Sequence, residues 1–237
     1  FALMAANNET GVIQPYEQAG RMIREAGHLY HIDAVQVLGK AGFDFAGSMA
    51  HFAALSSHKV GGPQGVGALA VACEAGVAAQ MIGGGQEKGR RAGTENVAGI
   101  AGFGAAVAAA GSDEELSRIK GLRDTLQARL QAGAPELTIW GERENRLDNT
   151  LCLSAPGWPS EIQVIALDLN GFAVSAGSAC SSGKVRKSKV LEAMGASSAD
   201  AESALRISLG WTTTQDDIEA FANAWLSEYT RLRPRAA

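Results

Sequence analysis

Apolar and polar positions alternate along this chain in short runs. Apolar stretches at 1–6, 28–32, 52–55 and 68–72 are each bounded by polar or glycine-rich turns and predict strands. Between the first two, Ala19, Ile23 and Ala26 recur at helical spacing, which predicts a helix over 16–26 closed by Gly27. A connection spans 37–50, and an Ala/Gly-rich helix is expected over 94–110, where small residues permit close packing. Strands alternating with helices predict an open α/β sheet, with ligands at the carboxyl ends of its strands.

The pattern changes after residue 111. Ser112 with Glu115 three positions later is a capping box, opening an amphipathic helix to about residue 132. Short strands follow at 137–140, 149–154 and 204–209, with helices over 160–169, 188–194 and 215–233. The expectation is a larger domain over 1–111, with a mostly parallel sheet, and a smaller α+β domain over 112–237. Neither repeats nor low-complexity tracts interrupt this arrangement.

Composition narrows the function classes. With 46% hydrophobic and 19% charged residues the chain folds, and a formal net charge of −4 argues against nucleic acid or a membrane surface as partner. No apolar run approaches the ~20 residues of a membrane span. Three cysteines lack metal-ligand spacing and form no even disulfide set, and neither a basic start nor a cleavage pattern marks a secretory leader, so a reducing cytoplasm is expected. The sequence opens at Phe1 inside an apolar run and reads as a chain whose beginning is missing.

Chemistry concentrates at the predicted strand ends. The third strand delivers Ser56-Ser57-His58-Lys59 into a glycine-rich turn. Hydroxyl and imidazole groups suit a phosphate, glycines let backbone approach a ligand, and a deprotonated lysine amine is a nucleophile toward an aldehyde cofactor. Asp33 ends the second strand, where a carboxylate can keep a pyridinium nitrogen protonated, and Gln36 lies in the same turn. Asn8 sits at the first strand's end. The basic Gly83–Thr94 stretch is glycine-rich but lacks the Gly-Lys-Ser/Thr ending of a phosphate-binding P-loop. Cys180 lies in a Gly/Ser/Ala run followed by Lys184, Arg186, Lys187 and Lys189, a setting that favours a reachable thiolate, whereas Cys73 and Cys152 fall in apolar strand patterns and read as inert core. Arg206, inside an apolar strand, either faces solvent or is aimed at an anion such as a carboxylate.

Six motifs occur in the order seen in one family. Asn7-Asn8-Glu9-Thr10-Gly11, His31-Ile32-Asp33-Ala34-Val35-Gln36, Ser56-Ser57-His58-Lys59-Val60-Gly61-Gly62-Pro63, Arg91-Ala92-Gly93-Thr94, Gly177-Ser178-Ala179-Cys180 and Leu205-Arg206-Ile207-Ser208-Leu209-Gly210 resemble the cysteine desulfurases, pyridoxal-phosphate enzymes of the class V aminotransferase group. The Cys180 segment resembles the long-loop branch that serves iron–sulfur assembly and thiolation. The resemblance implies a fold-type-I pyridoxal-phosphate transferase and a homodimer. It further implies L-cysteine as substrate and a sulfur acceptor or iron–sulfur scaffold as partner. It implies Lys59 as the Schiff-base lysine, Asp33 as the pyridinium partner, Gln36 as donor to the phenolic oxygen, and Asn8 as a residue facing cofactor and substrate. Ser56 and His58 look like phosphate ligands, Thr94 like the threonine that reaches the phosphate of the neighbouring subunit, Cys180 like the sulfur-accepting nucleophile, and Arg206 like the carboxylate clamp. Selenocysteine lyase, or another class V aminotransferase, is the close alternative. A truncated chain that only dimerises or docks a scaffold is the distant one. The family's phosphate-cradling loop and ring-stacking histidine lie upstream of Asn7 and are not in this sequence, so these residues alone are expected to bind cofactor poorly.

Overall fold

The structure is a computed structural model and describes residues 1–177 and 187–232. The chain separates into two compact units, residues 1–6 with 14–111 and residues 7–13 with 112–237. The sequence pattern assigns everything up to 111 to one domain. Residues 7–13 instead group with the second unit, because their backbone is hydrogen-bonded there: Ile13 N–H donates to the Asn145 carbonyl at 2.8 Å and Leu147 N–H to the Gly11 carbonyl at 2.9 Å.

The first unit is built on a four-stranded sheet of β1 (Ala2–Met4), β2 (His31–Asp33), β3 (Phe52–Ser56) and β4 (Gly67–Val71), in that order. The first three strands are parallel and β4 is antiparallel to β3, so the expected mostly parallel sheet is present with one reversed edge. The predicted second strand begins at residue 31, since it can pair only where the three-residue β1 lies beside it. Helix α1 (Tyr16–Glu25) buries Tyr16 and Gly20 and ends at Gly27, whose φ of +73° suits a residue without Cβ. Gly20 lies against the Ser48 carbonyl oxygen, which leaves no room for a side chain.

The loop between β3 and β4 is a tight structure and not a slack one. After β3 the chain makes a 3-10 turn over Ser57–Val60, capped by Gly61 at φ +87°. Ser57 N–H donates to the Val66 carbonyl and Gly62 N–H to the Ser57 carbonyl, both at 3.0 Å. Helix α2 (Val97–Ala109) is capped by the Asn96 side chain, which accepts from Gly99 N–H at 3.1 Å. Small residues set its packing: Gly99 lies against Val66 and Gly102 against Pro63. Cys73, expected in the core, is exposed because β4 stops at Val71.

In the second unit, α3 (Asp113–Gly133) starts at the expected cap, with Glu115 N–H donating to Ser112 Oγ at 3.2 Å. A second sheet runs in the order β5 (Thr138–Ile139), β6 (Thr150–Ser154), β8 (Ala204–Ser208), β7 (Ser175–Ala176), all antiparallel. The strand β7 and the short helix α6 (Ser198–Glu202) were not foreseen; two and five residues carry too little periodicity to be read. Alternation along β6 and β8 sends Leu151, Leu153, Leu205 and Ile207 to one face. There they pack with Leu126 and Leu130 of α3, Leu167 of α4 (Ser160–Leu169) and Trp225 of α7 (Gln215–Leu232). Trp225 stacks on Tyr229 with ring centroids 4.9 Å apart. The buried Gln163 is satisfied inside this core, donating to the carbonyls of Trp158 and Ser203 and accepting from Trp225 Nε1. The opposite face of the sheet carries Cys152 and Ala204, with Leu191 of α5 (Lys189–Ala193) packed there.

Candidate active site

Two sets of predicted residues are held, one in each unit. In the first unit, Asp33 is the last residue of β2 and pairs in register with Ala54 of the parallel neighbour β3. Ser56 ends β3, and His58 and Lys59 follow at once in the 3-10 turn. Parallel strands end on one edge, so a carboxylate, a hydroxyl, an imidazole and an amine share the carboxyl edge of two adjacent strands.

Asp33 is exposed, and its Oδ1 accepts from Val35 N–H at 3.0 Å, which fixes the carboxylate at the tip while Oδ2 stays open. Gln36, half-buried in the following turn, accepts from Lys40 Nζ at 3.3 Å. Ser56 Oγ and His58 Nδ1 lie 2.9 Å apart on the surface, a hydroxyl and an imidazole whose chemistry could serve an anion. Lys59 is half-buried, and among the described residues its amine has neither hydrogen bond nor ion pair. The amine stands in the turn that leaves β3, uncommitted to any described carboxylate or carbonyl. Thr94 belongs to the same unit and is exposed; its carbonyl accepts from Arg91 Nη1 at 3.3 Å, and no described hydrogen bond joins it to Ser56, His58 or Lys59.

The second set is organised by the 7–11 turn. Asn7 is buried and structural: its Oδ1 accepts from the N–H groups of Glu9 (2.8 Å) and Thr10 (3.0 Å). Gly11, at φ +75°, closes the turn against Thr150. Asn8 is half-buried, and its carbonyl accepts from Arg206 Nη1 at 2.9 Å. Arg206 Nη2 donates to Ser175 Oγ at 3.1 Å, while its Nε is buried with no partner. Arg206 is therefore not on a solvent-facing strand surface. It stands on the sheet face that carries Cys152, its register partner on β6, and Ser175, its partner on β7. Burial pushes the Cys152 thiol up to about 12, so it is inert at neutral pH, as its sequence context implies.

Glu9, Ser175 and Ser188 are site residues to which the sequence alone assigns no role. Ser188 caps α5 and also donates to Glu9 Oε2, and burial raises the Glu9 carboxyl above its ordinary range. The one available signal is the spacing of Ser188 to Leu191, that of a helix cap. Cys180 falls outside the described residues. Among the described residues there is no cluster of His, Cys, Asp or Glu able to hold a metal, and no helix is long and apolar enough to cross a membrane.

Comparison with known proteins gives these sets a context. The aminotransferase class-V family matches residues 1–221. The chain is similar to the cysteine desulfurase IscS of Anaeromyxobacter sp. strain Fw109-5, 42% identical over 98% of this chain and 58% of that protein. It is 38% identical to the cysteine desulfurase NifS of Azotobacter vinelandii, over 92% of this chain and 55% of that protein. A NifS-like protein from Rickettsia africae ESF-5 shares its fold with a TM-score of 0.86 and 36% identity, covering 97% of this chain and 61% of the other. The chain thus spans somewhat more than half the length of the relatives it matches. With the motif order, the sheet and the matched span in agreement, the chain belongs to the class-V aminotransferase family.

Proposed function

We propose that this chain is the larger part of a pyridoxal-phosphate-dependent cysteine desulfurase that takes sulfur from L-cysteine, leaving L-alanine and a persulfide on Cys180. The observation that carries the reading is the placement of Asp33 and Lys59 on the carboxyl edge of adjacent parallel strands, the carboxylate with one oxygen open and the amine without a partner. The donor set fits pyridoxal phosphate. A carboxylate suits its ring nitrogen, the Ser56–His58 pair suits its phosphate, the Gln36 amide suits its phenolic oxygen, and an uncommitted amine suits its aldehyde.

When bound, the cofactor supplies an aldehyde and an electron-withdrawing ring. The chain's own groups do the rest. Asp33 Oδ2 holds a proton at the ring nitrogen. Lys59 Nζ holds the cofactor before substrate arrives, and afterwards moves the proton at the substrate Cα. Asn8 faces substrate and cofactor, and Arg206 takes the substrate carboxylate in a fork already set by Asn8 and Ser175. The Cys180 thiolate forms the new S–S bond with the substrate sulfur as the substrate Cβ–S bond breaks, its electron pair remaining with the carbon that becomes the methyl of alanine. Selenocysteine lyase or transamination explains less of the chain, since neither calls for a thiol in a Gly/Ser-rich segment beside four basic residues. The same reading makes the protein a cytoplasmic homodimer, with Thr94 serving the neighbouring subunit's phosphate. Its persulfide would pass to an acceptor protein such as an iron–sulfur scaffold.

The test is to incubate the chain with pyridoxal phosphate in enough excess to load a weak site, reduce with borohydride and map the adduct by peptide mass spectrometry. A phosphopyridoxyl group on Lys59, lost in Lys59→Arg, is expected. Labelling spread over surface lysines with none preferred at Lys59 overturns the assignment.

A further inference from the structure

Arg206 is anchored in an unusual way for a half-buried cation whose Nε is enclosed. Its two terminal nitrogens donate to neutral acceptors, the Asn8 carbonyl and the Ser175 hydroxyl, and among the described residues no carboxylate comes within 4.0 Å of it. The usual partner of a guanidinium partly withdrawn from water is a carboxylate. One is at hand. Glu9 follows Asn8 directly, on the far side of the peptide whose carbonyl Arg206 holds, and Arg206 acts electrostatically on its carboxyl. Glu9 is nevertheless engaged elsewhere, by the hydroxyl of Ser188.

Ser188 is well placed to hold it. It is buried, and its Oγ accepts from Leu191 N–H at 3.1 Å as the cap of α5. With its lone pair directed to the helix, its one proton points to Glu9. The neighbour on the other side of Arg206, Cys152, is neutral and offers no competing charge. We propose that Ser188 keeps the Glu9 carboxylate off Arg206, so that the guanidinium charge remains open to the carboxylate of an incoming amino acid. Ser188 and Glu9 are then positioning residues acting through Arg206, and Ser175 and the Asn8 carbonyl are the neutral struts that hold the fork without cancelling its charge.

The inference rests on the reading of Arg206 as the carboxylate clamp, and one experiment separates the two. Phenylglyoxal attacks a guanidine that has lost its proton, and a paired carboxylate slows it by holding that proton on. In the wild-type chain Arg206 should be modified readily, and L-alanine should protect it. Ser188→Ala should slow modification about tenfold, the scale of one charge-assisted contact. Adding Glu9→Gln to that variant should restore the wild-type rate, and Ser188→Thr should keep it. The double variant lacks the helix cap as well, so its recovery excludes local unfolding as the cause. An unchanged rate in Ser188→Ala, a double variant as slow as the single, or an unreactive wild-type Arg206 overturns the inference. Absence of L-alanine protection with the rates otherwise as expected overturns the clamp reading alone.

Discussion

Arg206 Nη1 donates to the carbonyl of Asn8 at 2.9 Å, a contact that joins residues 198 positions apart in the chain. It ties the first polar turn to β8, one of the two inner strands of the second sheet, and with the Ser175 bond it fixes the plane of the guanidinium. Arg206→Lys keeps the charge but cannot span both acceptors. The KM for L-cysteine should rise about tenfold or more, on the scale of a lost hydrogen bond to a charged group, with a smaller effect on kcat. Steady-state kinetics decide this, and an unchanged KM removes Arg206 from the substrate site.

Cys180→Ser should abolish persulfide formation and sulfide release, because a hydroxyl is a far poorer acceptor of sulfur than a thiolate. The borohydride-trapped adduct on Lys59 should survive, since the proposed mechanism gives the two residues different steps. Sulfide release from the serine variant at the wild-type rate would transfer the acceptor role to another group.

The other two cysteines should behave in opposite ways. Cys73 is exposed and should react with iodoacetamide in the native chain, whereas Cys152, fully buried, should react only on unfolding. Burial raises the Cys152 thiol from 9.0 to about 12, so between those values the unfolded state loses a proton that the folded state keeps. Stability therefore falls as pH rises through that window, and Cys152→Ala should flatten this part of the alkaline slope. Denaturant titrations at pH 8 and about pH 10.5 compare the two. Equal slopes in both proteins would show that Cys152 already ionises in the folded state.

Gly20→Ala should destabilise the first unit by about 1–3 kcal/mol, because a Cβ would collide with the Ser48 carbonyl oxygen. Gly104→Ala, where nothing lies within 4 Å, should be neutral or stabilising by up to about 1 kcal/mol. Urea unfolding followed by circular dichroism measures both. Equal effects at the two glycines would contradict the packing of α1.

Much of this was legible in the sequence because local signals and burial agree. The Ser112 cap, the apolar face of α3 and the Asp33 and Lys59 strand tips each follow from a short pattern whose physical cause lies within a few residues. What was not legible depends on partners far away. Ser175 and Arg206 meet only because β7 and β8 pair, Glu9 and Ser188 are 179 residues apart, and Cys73 is exposed because β4 ends at Val71, two residues before it. Apolar content near Cys73 resembles a strand interior, but only the ladder decides where a strand stops.

The ribbon formed by residues 7–13 has a practical consequence. Expressing the segment from residue 112 onward would yield a unit deprived of the bridge between Val12 and Arg146 and of the acceptor for one arm of Arg206. No single cut in the gene can separate the halves cleanly; a peptide covering the ribbon, added in trans or grafted by circular permutation, would have to restore what the cut removes.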